Sequence, residues 1–186
     1  VKTAAGPQWI TIPVLTSGVH SQKRPIHSIE TCWEKMWNKR HLTQLEAAYG
    51  GAPFFEKYAP LLRRWYGECP RLLADFTIQQ TIDIARELGI ESTRFLRSST
   101  FPAEGTKTQR LVSILKHVGA NRYFSGPSAK DYIDEALLQA NGIALDWMDY
   151  NYPEYPQFHP PFDPRLSILD LLMMTGEEAP RYIWAC

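Results

Sequence analysis

The sequence carries no excess of charge of either sign: twenty Lys and Arg stand against twenty Asp and Glu. Nucleic-acid and membrane-surface binders need a sustained basic field, so neither partner is expected. No apolar run approaches the ~20 residues that cross a bilayer, and the opening residues lack a signal-peptide pattern. Cysteine is scarce. Cys32, Cys69 and Cys186 are widely spaced and odd in number, which fits neither a disulfide framework nor zinc spacing and points to the cytoplasm. His20, His27, His41, His117 and His159 lack the spacing of a local metal site, so no metal is expected. The glycine-to-lysine spacing of a P-loop and the glycine pattern of a dinucleotide fold are also absent, which leaves no cofactor to name.

What the chain does have is proline, 14 residues, and aromatics at 12%, both gathered in a few places. Its length suits one domain over residues 1–186, with room for a real core. It opens on "VKTAAGPQWITIPV", with no methionine, and the expectation is that an N-terminal strand and motif precede this stretch. In residues 8–14, Trp9, Thr11 and Pro13 alternate with Ile10, Ile12 and Val14, a strand pattern. Thr31 and Glu34 then have capping-box spacing, and Cys32 in that first turn is a low-ranking candidate nucleophile. Trp33, Trp37, His41, Leu45 and Tyr49 recur every four residues and share one helical face. A second helix over "PFFEKYAPLLRRWY" is interrupted at Pro60, and a third, about 71–88, stops at Gly89. Residues 31–89 thus read as a helical lobe inserted between strands.

Beyond it, strands over 93–99, "RYFSG" and "IALDWMDY" alternate with helices ending at Gly119 and Gly142. That order over residues 93–150 predicts an α/β fold with a mostly parallel, Rossmann-like three-layer sheet. A proline-rich aromatic loop and a short terminal helix fill residues 151–176, the helix with Ser167 and Asp170 at cap spacing.

In parallel sheets, ligands bind where strands run into helices. Two such loops share parts. In "EGTKTQR", Gly105 precedes Thr106, with Gln109 at cap spacing and Lys107 and Arg110 in the first turn. In "SGPSAKDY", Gly126 precedes Ser128, with Asp131 at cap spacing, then Lys130 and Tyr132. Cations at a helix start oppose its dipole, which makes sense if an anion sits between them; two solvated bases on capped helices are the plainer reading. His41 reads as a core histidine and His117 as a C-terminal dipole partner, whereas His159 lies in a loop, where function concentrates. Asp146 and Asp149 on the last strand are able to supply carboxylates to a site, and an outward strand position is the simpler account.

"GPQWITIPV", "HLTQLEAAYGGAPFFEKYAPLL", "GTKTQRLVSILKHVGANRYFSGPSAKDYIDE", "YPEYPQFHPPF" and "LSILDLLMMTG", in this order, resemble the WbqC-like protein family. Some members of that bacterial family are encoded among genes for O-antigen and other surface polysaccharides. The resemblance implies an enzyme, or an accessory factor, in sugar or polysaccharide biosynthesis or modification, and no particular reaction. Together with the two loops, whose bases at helix starts suit an anion, it leads to the expectation of a transferase-type enzyme acting on an anionic, nucleotide- or phosphate-bearing small molecule. The alternative is a non-catalytic binding or scaffold protein with partners in polysaccharide assembly. Family positions carried over are Lys107, Arg110, Gly126, Lys130, Asp131, Tyr132, Tyr155 and Gln157. Members also carry an upstream histidine-glutamine-proline segment that does not occur in this sequence. The candidate site is therefore Thr106, Lys107, Arg110, Gly126, Ser128, Lys130, Tyr155 and Gln157 for binding, with His159, Asp131 and Tyr132 as catalytic candidates.

Overall fold

A computed structural model describes residues 1–15 and 24–184 of the chain; His20 and Cys186 lie outside them. The described part is mixed and mostly helical, 51% helix against 9% strand. Two compact units divide it: Val1–Thr93 with Tyr152–Cys186, and Arg94–Asn151.

The first unit is built on helices α1 (Trp37–Tyr49), α2 (Phe55–Glu68) and α3 (Leu73–Glu87), joined from the far end of the chain by α6 (Ile168–Thr175) and α7 (Ala179–Trp184). The four-residue spacing does put Trp37, His41, Leu45 and Tyr49 on one stripe, and all four are buried. Full burial of each such side chain contributes roughly 1.5–3 kcal/mol. Trp33 is not on that helix: it lies in a 3-10 turn, Trp33–Lys35, and Met36 at φ 45° separates the two. Trp33 still stacks on Trp37, ring centroids 4.5 Å apart, and its indole N–H donates to Pro70 O at 2.8 Å. Phe76 meets Trp37 edge-on at 5.4 Å. His41 is the expected core histidine, its Nε2 3.1 Å from Thr11 O, and burial lowers its pKa. Helix α2 runs through Pro60 without dividing.

Two short strands, β1 (Lys2–Thr3) and β2 (Gly6–Pro7), form an antiparallel hairpin ahead of α1. The strand expected over residues 8–14 is absent; only Val14 makes a bridge, to Thr31. Thr31 is not an N-cap either. Its hydroxyl donates to Pro70 O and Arg71 O, both at 3.1 Å, and so ties this segment to the start of α3 instead. Cys32 accordingly precedes a 3-10 turn rather than opening an α-helix.

The second unit holds α4 (Lys107–His117), β3 (Arg122–Ser125), α5 (Glu135–Ala140) and β4 (Ala144–Trp147). Strands β3 and β4 pair in parallel, as the strand-helix-strand order predicts, and Val112, Leu115, Leu138 and Ile143 form the core beside them. There the likeness to a Rossmann-like sheet ends. Residues 93–99 form no strand: Arg94–Arg97 are exposed and only Ser98–Thr100 turn as 3-10. Alternation alone cannot make a strand without an edge to pair with. Two strands pair here, not three layers around a sheet, and Phe124 and Met148 are left 60% and 57% exposed.

Asp83, on α3, is buried and accepts from Trp65 Nε1 at 2.8 Å, Arg64 Nη2 at 2.6 Å and Gln79 Nε2 at 3.1 Å. Burial pushes its carboxyl up, but the hydrogen bonds from Trp65 and Gln79 and the Arg64 guanidinium outweigh it and hold the pKa below 3.8. The stability that Asp83 contributes is therefore complete above pH ~4 and lost as the pH falls through the lowered value. Asp83→Asn should cost roughly 1–3 kcal/mol at pH 7, most of it from the buried side because Arg64 is half exposed. In urea melts, its deficit against the parent should shrink below pH ~4; a deficit independent of pH would contradict the ionised form. Gly176 ends α6 at φ 56°, and a Cβ there would lie 2.4 Å from the Phe54 ring. Gly176→Ala should lower stability by roughly 2–4 kcal/mol, from strain and overpacking together; a thermal melt within 1 °C of the parent would refute this.

Candidate functional site

Helix α4 begins as the sequence predicts. Gly105, at φ 77°, brings the backbone so close that a Cβ would meet Gln109 Cβ at 2.8 Å. Thr106 is the N-cap residue, yet its side chain caps nothing; its carbonyl takes the amides of Gln109 and Arg110 at 3.1 and 3.4 Å. Lys107 follows with φ 49°, a left-handed backbone that is costly for a residue with a side chain. Such strain persists only where the surroundings fix it.

The surroundings do so through Thr108. Its buried hydroxyl accepts the Asp134 amide at 3.0 Å, which pins the chain before α5 to the first turn of α4. Asp134 in turn caps α5 by accepting the Leu137 amide at 2.9 Å. Between these elements lies a cleft of about 350 Å³ lined by Lys107, Thr108, Leu111, Tyr123, Tyr132 and Ile133. Tyr132 is 65% exposed at its rim. With the Gln109 and Arg110 amides taken by Thr106, the amides of Lys107 and Thr108 are those without an intrahelical partner, and this end of α4 favours negative charge.

The second loop does not repeat the first. Pro127–Asp131 is a 3-10 turn with Gly126 before it, and Ser128 and Asp131 cap no α-helix. The helix expected from Ser128 onward starts only at Glu135, because Asp134 supplies the cap. The three bases also have different engagements. Lys107 lines the cleft; Arg110 donates to Ala103 O at 2.8 Å; Lys130 holds its ammonium 5.4 Å from the centre of the Trp147 ring. Asp146 pairs with Arg122 at 2.7 Å. His117 lies in the last turn of α4, as expected, and meets Phe101 at 4.7 Å.

Tyr155, Gln157 and His159 belong to the first unit. Tyr155 donates to Asp170 Oδ2 at 2.8 Å, and Asp170 is wholly buried, with the Tyr49 hydroxyl also close to it. Ser167 caps α6 as predicted, accepting the Leu169 amide at 3.3 Å. Gln157 clamps the Asp163 backbone, accepting its amide and donating to its carbonyl, both at 2.9 Å. Its Oε1 also accepts from the Lys2 ammonium at 2.6 Å. His159 is half-buried against Phe158, centroids 4.8 Å apart. Sequence reasoning passed over Thr108, Tyr123 and Ile133. The signal for Thr108 was its place on the stripe of Val112 and Leu115, both buried.

Among the described residues no group of His, Cys, Asp and Glu is placed to hold a metal, and no helix is long and apolar enough to cross a membrane. No solved structure matches the chain. Among curated proteins, the "Uncharacterized protein Rv1507c" of Mycobacterium tuberculosis is 36% identical over 188 residues, which span 100% of this chain and 80% of that protein. The model of the WbqC-like protein family matches residues 1–182, and the chain belongs to that family.

Proposed function

We propose that the chain is a transferase-type enzyme of bacterial surface-polysaccharide biosynthesis, acting on a phosphate- or nucleotide-bearing small molecule held at the start of α4. The observation that supports this reading is the cleft lined by Lys107, with its left-handed backbone, and by Thr108, Leu111, Tyr123, Tyr132 and Ile133. A phosphate there meets an ammonium and the first amides of the helix, and an aromatic or sugar group meets Tyr132 and Tyr123. Lys107 stabilises the charge that develops on a leaving phosphate, and the Tyr132 hydroxyl orients the acceptor. Arg110, with its guanidinium on Ala103, and Lys130, over Trp147, are engaged elsewhere, so the reading rests on Lys107.

The scaffold alternative would dock through the tryptophans Trp33 and Trp37 and through the aromatic loop. Trp37 is completely buried and Trp33 stacks on it, so the tryptophan pair, its best feature, is core, and the enzyme reading is preferred.

The test is a thermal shift with inorganic phosphate, UDP, GDP, UDP-N-acetylglucosamine and acetyl-CoA, followed by calorimetry with whichever stabilises. A phosphate-bearing probe at a hundred times its Kd adds about 2.7 kcal/mol of stability. Lys107→Gly separates strain from binding. It should raise the intrinsic stability by roughly 1 kcal/mol, because glycine adopts the left-handed backbone freely, while weakening the probe tenfold or more. Silence from every probe, or undiminished binding by Lys107→Gly, overturns the site.

A further inference from the structure

The first unit has a larger cleft of its own, about 630 Å³, within the range of small-molecule sites. One wall is the hairpin and the segment after it, with Pro7, Gln8, Trp9 and Ile10; the other is Asp163 to Leu169. Trp9 is 97% exposed, the most extreme of the large apolar side chains here. A fold that buries Trp37 entirely has left the flat face of a second indole bare at the edge of a cavity.

The walls are held together from behind. Lys2, in β1, is buried; its amide donates to Tyr49 Oη at 3.0 Å, and its ammonium donates to Gln157 Oε1 and to Pro161 O. Gln157 in turn grips both backbone groups of Asp163. A continuous chain of hydrogen bonds thus runs from the hairpin wall to the opposite wall. Gln157, a candidate ligand contact by sequence, acts here as a positioning residue.

The charges in the cleft narrow the ligand. Among the side chains that line it with Val1, Arg165 is the cation and Asp163 the anion, with Asp163 Oδ1 3.7 Å from Arg165 Nε and accepting the Arg165 amide at 2.9 Å. A phosphate or carboxylate drawn to Arg165 meets the carboxylate beside it. A neutral ring with hydroxyls on its edge and C–H groups on its face satisfies both charges and the indole. We propose that this cleft binds a pyranose sugar, its C–H face stacked on Trp9 and its hydroxyls bonded to Gln8, Asp163 and Arg165. Its lining residues all belong to the first unit, and the proposal is independent of the reaction proposed at α4.

Saturation-transfer NMR on the whole chain tests this, with methyl β-D-glucopyranoside, methyl α-D-mannopyranoside, methyl α-L-rhamnopyranoside and N-acetylglucosamine as probes, and adenosine and AMP alongside. At least one glycoside should bind, with saturation strongest on the C–H protons of one ring face. Trp9→Ala should weaken it tenfold or more, and because the side chain is exposed the variant should melt as the parent does. Asp163→Asn should weaken it several-fold. Absence of binding by all four glycosides, equal binding by Trp9→Ala, or Trp9-dependent binding of adenosine or AMP alone would overturn the assignment.

Discussion

A lysine ammonium taken out of water must find acceptors for its protons, and Lys2 finds them in residues 157 and 161, at the far end of the chain. That single requirement organises the first unit. It sets the hairpin against the proline-rich loop, and the Lys2 amide places the same strand on Tyr49 at the end of α1. Burial pushes the Tyr49 phenol up, so it stays a neutral hydrogen-bond partner across the physiological range. The loop "YPEYPQFHPPF", long for a connection without regular structure, is ordered by these contacts together with the bond from Tyr155 to Asp170.

Around this polar clamp lies an aromatic core that the sequence advertises openly. Trp37, His41, Leu45 and Tyr49 announce α1 by period, and Phe55, Tyr58, Leu62 and Trp65 do the same for α2. Gly89, Gly119 and Gly142 mark three helix ends, all with positive φ. These elements were legible because local period and local stop signals coincide. The strands expected over 8–14 and 93–99 were not, because a strand exists only through its neighbour, and the composition of one segment says nothing about whether a neighbour is in reach. The resemblance between the two glycine-hydroxyl-lysine loops dissolved for a related reason. Asp134, its amide held by Thr108, caps the helix in place of Ser128.

The candidate sites divide along the same line. Lys107 and Thr106 could be read from Gly105 and the helix that follows, since that geometry is made by adjacent residues. The partners of Lys107 across the cleft, Tyr123 and Ile133, come from a strand and a turn, and only tertiary packing joins them. Lys2 and Asp163 are further still from legibility: each is an ordinary charged residue whose meaning depends on a glutamine over a hundred positions from the first of them.

The first unit is also interrupted. Its chain leaves at residue 93 and returns at 152, and its core requires Leu171, Leu172 and Met173 from α6. During synthesis the ribosome therefore releases α1, α2 and α3 long before the helix that completes their packing. The Arg94–Asn151 unit, continuous in sequence, emerges whole in the meantime. The helix that completes the first unit's core is thus made only after the whole of the second unit, and until then the apolar faces of α1, α2 and α3 lack that partner.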